Sequence, residues 1–170
     1  MGIIIVGNGT SIADKKNGHK IDNFDKVLRF NSFKTQGYEE YTGTKTNIWV
    51  TVNHAHTRDI NDFNEVIVHS WQWDKDLCKL YKELSSLREC HKTSRDLKGM
   101  IPLKSPSTGI ISIYMMLERY DQVCVTGFDW WDREEHHYGD SEARGTIHKP
   151  QEEYKVIQGL IKQNKVYFLR

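Results

Sequence analysis

The sequence predicts an α/β fold in which a mostly parallel sheet is flanked by helices, with residues 1–170 forming one domain. Three observations carry this. Short apolar or β-rich runs recur along the chain at Ile3–Val6, Lys26–Phe30, 47–52, 65–69, 122–126 and 165–169. Several of them, Ile3-Ile4-Ile5-Val6 above all, are nearly continuous in apolar residues, the pattern of strands buried on both faces. Helical patterns lie between the later runs, and strands that alternate with helices build parallel sheets.

The clearest helical pattern covers 74–89, where Leu77, Leu80, Tyr81, Leu84 and Leu87 repeat at three- and four-residue spacing and mark a core-facing stripe. A second helix begins at Ser107, whose side chain suits an N-cap, and runs through Ile110, Ile111, Tyr114, Met115 and Leu117 to about Tyr120. A third starts at Pro150, a residue suited to the first helical turn, with Tyr154, Ile157, Leu160 and Ile161 facing inward. The result is a Rossmann-like arrangement. Such sheets take ligands at the carboxyl ends of their strands.

Composition narrows the function. The chain has 38% hydrophobic and 28% charged residues, enough to bury one core, and its formal net charge is +1. That balance gives no electrostatic reason to expect nucleic acid as a partner, so an anionic ligand must be met locally. Cys78, Cys90 and Cys124 are an odd number without CxxC or CxxH spacing, which argues against a disulfide framework or a zinc site and fits a reducing cytoplasm. No apolar run approaches the roughly 18 residues of a membrane span.

Two segments carry chemistry. The first run ends in Gly7-Asn8-Gly9-Thr10-Ser11, where glycines permit a tight turn and close approach of backbone to ligand, and Asn8 can donate and accept. The segment is neither GxGxxG nor GxxxxGK[ST]; it reads as a nucleotide-binding turn or as an ordinary strand-to-helix turn capped by Thr10 or Ser11. At Ser107, Thr108 and Gly109, hydroxyls and an unobstructed amide meet at a helix N-terminus, which favours a phosphate; the plain alternative is that Ser107 only caps the helix.

Taken in order, G-N-G at 7–9, G-x-x-I-D-x-F-D-x-V-x-R-x-N at 18–31, Gly37-Tyr38-Glu39 and Gly43-Thr44-Lys45-Thr46 resemble the large sialyl motif of the eukaryotic-type sialyltransferases. Pro106-Ser107-Thr108-Gly109, then Asp121-x-Val123-x-Val125-x-Gly127-Phe128, resembles the small sialyl motif. His137-Tyr138, then His148 with Glu153 five residues on, resembles the family's remaining motifs. The likeness runs from Gly7 to about Leu160.

The resemblance implies a sialyltransferase-like glycosyltransferase fold and metal-independent transfer from a CMP-sugar to a glycan or glycolipid hydroxyl, an acceptor class compatible with peripheral membrane contact. It implies no cofactor beyond the CMP-sugar donor substrate. Asn8 and Asn31 become partners of the nucleotide, with Gly7, Gly9, Thr10, Ser107, Thr108, Gly109, Gly127 and Phe128 around it and Asn53 as a looser match. His148 becomes the catalytic base, supported by Glu153, while His137 and Tyr138 assist departure of the phosphate. Two departures from the family stand out: the motif-linking disulfide of secretory members has no counterpart at Ile3, Ile4 or Tyr120, and Gly139 replaces a second aromatic. The second departure leaves room for a sugar related to sialic acid, of the Kdo or legionaminic type.

Rival readings follow from other residues. The stretch from Asp129 to His137 (Asp129, Asp132, Glu134, Glu135, His136, His137) offers ligands for a divalent ion and hence a UDP- or GDP-sugar, although it lacks DxD spacing. Trp130 and Trp131 read as a stacking platform for an acceptor sugar or as a cover for the sheet edge. A non-catalytic nucleotide- or sugar-binding module is the reading from a different class.

Overall fold

The computed structural model describes residues 2–51, 62–69, 79, 82, 89–92, 95–130, 138 and 148–170. Its centre is a seven-stranded sheet built from β1 (Ile3–Val6), β2 (Lys26–Phe30), β3 (Ile48–Thr51), β4 (Glu65–Val68), β5 (Glu89–Lys92), β6 (Val123–Thr126) and β7 (Val166–Phe168), in the order β5-β4-β3-β2-β1-β6-β7. Every pairing is parallel, with Ile5 level with Leu28 on one side and Val125 on the other. The chain therefore builds outward from β1 to one edge, returns, and continues on β1's other side. The reversal falls between β1 and β6, where open parallel sheets leave a crevice beyond the strand ends.

All six expected strands form, with ends shifted by a residue or two. β5 was not expected. Its sequence, Glu-Cys-His-Lys, lacks the apolar signature of a central strand and it lies at the sheet edge. Of the expected helix over 74–89, Lys79 and Lys82 are helical and Glu89 opens β5; the leucine stripe lies outside the described residues.

Alternation along β1 and β2 divides the core in two. Ile3, Ile5, Leu28 and Phe30 face one side of the sheet, packed with helices α4 (Thr108–Leu117) and α5 (Pro150–Lys162). Ile4, Val6 and Val27 face the other, packed with Ile12 of a 3₁₀ turn (Thr10–Asp14) and Ile21 of α1 (Gly18–Asp22). Two further short helices are α2 (Glu39–Thr42) and α3 (Arg95–Met100). α4 is buried nearly all round, with Ile110, Ile111, Ile113 and Met116 fully enclosed, each contributing about 1.5–3 kcal/mol through lost water contact.

α5 corrects one expectation. Ile157 and Leu160 face the core and Ile161 packs against it, but Tyr154 is 39% exposed and Glu153 takes the inward place, 4% exposed. Pro150 stands in the first turn, Glu152 and Glu153 favour the positive helix start, and Lys162 favours its end. Among the described residues no helix is long and apolar enough to cross a membrane.

Candidate active site

The crevice is closed at its base by two glycine turns pressed together. The Gly7 N–H donates to Thr126 O at 2.7 Å and the Gly9 N–H to Gly127 O at 2.8 Å. Gly127 has φ +70°, the left-handed region that glycine tolerates, and a Cβ on Gly7 would stand 2.1 Å from the Gly127 carbonyl oxygen. The expectation that these glycines open backbone to a ligand is thus refined: their missing side chains admit the neighbouring turn. The Phe128 ring fills the next layer, 3.2 Å from where a Gly7 Cβ would be and 2.6 Å from that of Gly109, so one ring spaces the β1 turn from the start of α4. Gly109 is likewise needed for the ring, not only for an open amide.

Asn8 sits on this floor, 7% exposed. Its amide nitrogen donates to Phe30 O at 3.3 Å, while Oδ1 is buried without a donor among the described residues. A buried amide oxygen left unmatched costs on the order of 1–3 kcal/mol, a cost a ligand donor would relieve. Asn31, at the end of β2, adopts φ +53°, which asparagine tolerates better than most residues, with its N–H on Val50 O at 2.9 Å and its carbonyl accepting from Trp49 Nε1 at 3.0 Å. The two asparagines stand at the ends of adjacent strands.

Much of the motif between them serves as frame. The Asp22 carboxylate accepts from the Thr44 and Lys45 amides at 3.0 and 2.9 Å, and the Lys45 ammonium donates to Phe24 O. Arg29 is fully buried, its guanidinium donating to Thr42 O at 2.6 Å and to Thr46 Oγ1 at 3.1 Å. These contacts tie β2 to the 42–46 turn.

Facing the β1 turn is the start of α4. Ser107 caps it, its Oγ accepting from the Ile110 N–H at a long 3.4 Å. Its own donors are already used: the Ser107 N–H and hydroxyl donate to the two Glu153 carboxylate oxygens at 2.7 and 2.8 Å. Ser107 therefore frames the site, and the amides of this helix end with no intrahelical acceptor to meet are those of Thr108 and Gly109. His148 approaches the same segment, with Nδ1 3.2 Å from Ser105 O and the ring exposed. A carbonyl only accepts, so this bond needs the proton on Nδ1 and leaves the Nε2 lone pair turned away from it.

Tyr138 is 4% exposed, its N–H donating to Asn8 O at 3.1 Å. Its hydroxyl donates to Lys34 O and accepts from the Lys34 N–H at 3.2 Å, and its ring meets Tyr38 edge-on at 5.0 Å. Both hydrogen-bonding capacities of that hydroxyl are taken, so Tyr138 fixes Asn8's backbone rather than presenting its oxygen to a phosphate. Thr10, 8% exposed, spends its hydroxyl on Asp129 at 3.1 Å. His137 and Asn53 lie outside the described residues, as does the stretch 131–137. Trp130 is core, its ring stacked on Phe128 at 5.0 Å and flanked by Tyr154 and Phe168.

Burial strongly shifts two titratable groups, of which the sequence reading singled out only Cys124. His69, at the carboxyl end of β4, is 7% exposed, and burial pushes its pKa down to about 4. Cys124, within β6, is a free buried thiol pushed up to about 12 by burial, too basic to serve as a nucleophile. Among the described residues no three His, Cys, Asp or Glu side chains gather to hold a metal ion.

Parallel strands reversing at β1 and β6, with a capped helix start over the crevice, define the Rossmann-like α/β class. The chain belongs to glycosyltransferase family 29, the sialyltransferases, whose family model matches residues 3–88 and 74–165. It is 46% identical over 48 residues to a rat CMP-N-acetylneuraminate-beta-1,4-galactoside alpha-2,3-sialyltransferase, 28% of this chain and 13% of that protein. It is 25% identical, over an alignment 212 positions long, to a rat lactosylceramide alpha-2,3-sialyltransferase, with 96% of this chain covered. The chain spans about 55% of that relative's length. A mammalian sialyltransferase solved in complex with Gal-beta-1-3GalNAc-ortho-nitrophenol shares the fold, with a TM-score of 0.73 at 23% identity over 98% of this chain and 68% of that one.

Proposed function

We propose that this chain is an inverting glycosyltransferase moving sialic acid, or a related keto-acid sugar of Kdo or legionaminic type, from a CMP donor to a hydroxyl of a glycan or glycolipid. The observation that carries the reading is the unmatched Asn8 Oδ1, buried at the strand reversal, with the Phe128 ring spacing its turn from the first turn of α4. A nucleotide answers both halves: its ribose hydroxyls or cytosine amino group supply a donor to Asn8, and its phosphate suits the positive helix end at Thr108 and Gly109.

His148 is the base in this reading. The acceptor hydroxyl gives its proton to Nε2 as its oxygen bonds to the anomeric carbon, while the bond to the CMP oxygen breaks on the opposite face, which inverts the configuration. The Ser105 carbonyl holds the ring in the tautomer this requires. Charge gathering on the departing phosphate is met by the α4 amides and, on the family pattern, by His137. A reducing compartment accords with the free Cys124 and with the absence of cysteine at Ile3, Ile4 and Tyr120.

The test is CMP-sialic acid turnover together with nucleotide-induced thermal stabilisation. CMP is expected to raise the melting temperature, Asn8→Ala to weaken CMP binding about tenfold, and His148→Ala to cut transfer about 10²–10⁴-fold with CMP affinity kept. Stabilisation by UDP but not CMP, or activity lost in EDTA and restored only by manganese, overturns the reading. CMP binding without any turnover reduces it to a binding module.

A further inference from the structure

Asp129 belongs to the turn after β6, yet its carboxylate serves the turn after β1. Oδ2 accepts from the Thr10 hydroxyl at 3.1 Å and from the Ser11 N–H at 3.0 Å. A Cβ on Gly9 would stand 2.6 Å from the same carboxylate, so the approach depends on that glycine. With the Gly9 N–H on Gly127 O, three consecutive residues of the β1 turn are held from residues 127 and 129.

The carboxylate is not arranged as a stabilising device alone. Oδ1 is buried without a donor among the described residues, so half of the group has lost water for nothing that stability repays. Nor is it open as a metal ligand, with one oxygen holding two donors and the other enclosed. What it fixes is the position of Thr10 and Ser11, which follow Asn8 across Gly9, itself held by the Gly127 carbonyl.

We propose that Asp129 is a positioning residue for donor binding: by anchoring Thr10 and Ser11 it holds the Asn8 side chain in the pose that meets the nucleotide. This rests on the reading of the β1 turn as the nucleotide cradle. Residues 127–130 then act on the donor twice, through Phe128 as spacer and Asp129 as anchor.

The experiment compares Asp129→Ala, Asp129→Asn, Thr10→Val and the double variant Thr10→Val/Asp129→Ala. It reads CMP affinity, donor KM and kcat, and hydrogen exchange of the Ser11 amide. Asp129→Ala is expected to raise donor KM and CMP Kd about tenfold with kcat within about twofold, the size of one or two lost hydrogen bonds. Asp129→Asn, which keeps an oxygen for the Ser11 N–H, restores most of that loss, and Thr10→Val has no further effect once Asp129 is gone. Unchanged CMP affinity, additive effects of the two substitutions, a loss confined to kcat, or Ser11 exchange as slow as in the parent overturns the proposal. If Asp129→Ala does not fold, Thr10→Val, which removes one of the two donors the carboxylate holds, carries the test, and unchanged CMP affinity in that variant overturns the proposal. A parent protein that binds no CMP sinks the functional reading instead, and Ser11 exchange still decides whether Asp129 anchors the turn.

Discussion

Glu153 holds Ser107 at two points, one carboxylate oxygen 2.7 Å from its backbone nitrogen and the other 2.8 Å from its hydroxyl. The two residues are 46 positions apart, so the start of α5 fixes the start of α4. His148 contacts Ser105 O from the same chain segment, and the expected base thereby shares its support with the helix end that faces the crevice.

Replacing Glu153 by alanine strands both Ser107 donors. Hydrogen bonds to a charged group contribute about 1.5–3 kcal/mol each and are not additive, so the expected loss is about 2–4 kcal/mol of unfolding free energy, or about 5–12 °C in Tm. Glu153→Gln keeps an acceptor for one donor and is expected to lose about half as much. Denaturant titration of the three proteins checks this; equal losses for both variants would show that shape rather than hydrogen bonding is at stake.

Gly7 and Gly159 give opposite signs. Alanine at 7 drives a Cβ to 2.1 Å from the Gly127 carbonyl oxygen, backbone that cannot swing aside, and is expected to cost about 3 kcal/mol or more. Alanine at 159 meets nothing within 4 Å inside α5 and is expected to stabilise by about 0.5–1 kcal/mol, through helix propensity. Melting temperatures of the two variants decide the matter.

His69 makes stability depend on pH. Its folded pKa of about 4 lies below the ordinary imidazole value of 6.5, so between those values the unfolded chain binds a proton that the folded one does not. Its contribution is full above pH 6.5 and is lost as pH falls toward 4, about 3 kcal/mol in all. His69→Gln is expected to flatten that part of the stability profile. A parent protein equally stable at pH 4.5 and 7 would contradict it.

The sheet was legible because burial on both faces leaves unbroken apolar runs such as Ile3–Val6, and α4 and α5 because caps and periodicity agree over ten or more residues. The short elements were not. α1 and α2, with five and four residues, are too brief for a helical period, and β5 is a polar edge. At the site, the order of motifs located Asn8, Asn31 and Ser107, but local sequence could not say which polar groups were already spent. Glu153 looks like a surface residue until Ser107 is beside it, and Asp129 looks like a solvated acid or metal ligand until Thr10, 119 residues away, claims it. Tyr154 was misplaced for the complementary reason, since the inward position of α5 belongs to a carboxylate with a partner.

The central position of β1 also sets an order of events. β2 can join it soon after synthesis, but β6, its other neighbour, and the Gly127 and Asp129 contacts arrive only after about 120 further residues. Contacts of such sequence separation form slowly, and until they do the apolar Ile3–Val6 strand has an open flank on which another chain can pair. The crevice is thus assembled late in folding, and a nascent chain stalled before β6 would carry its β1 turn unanchored and an apolar strand edge exposed.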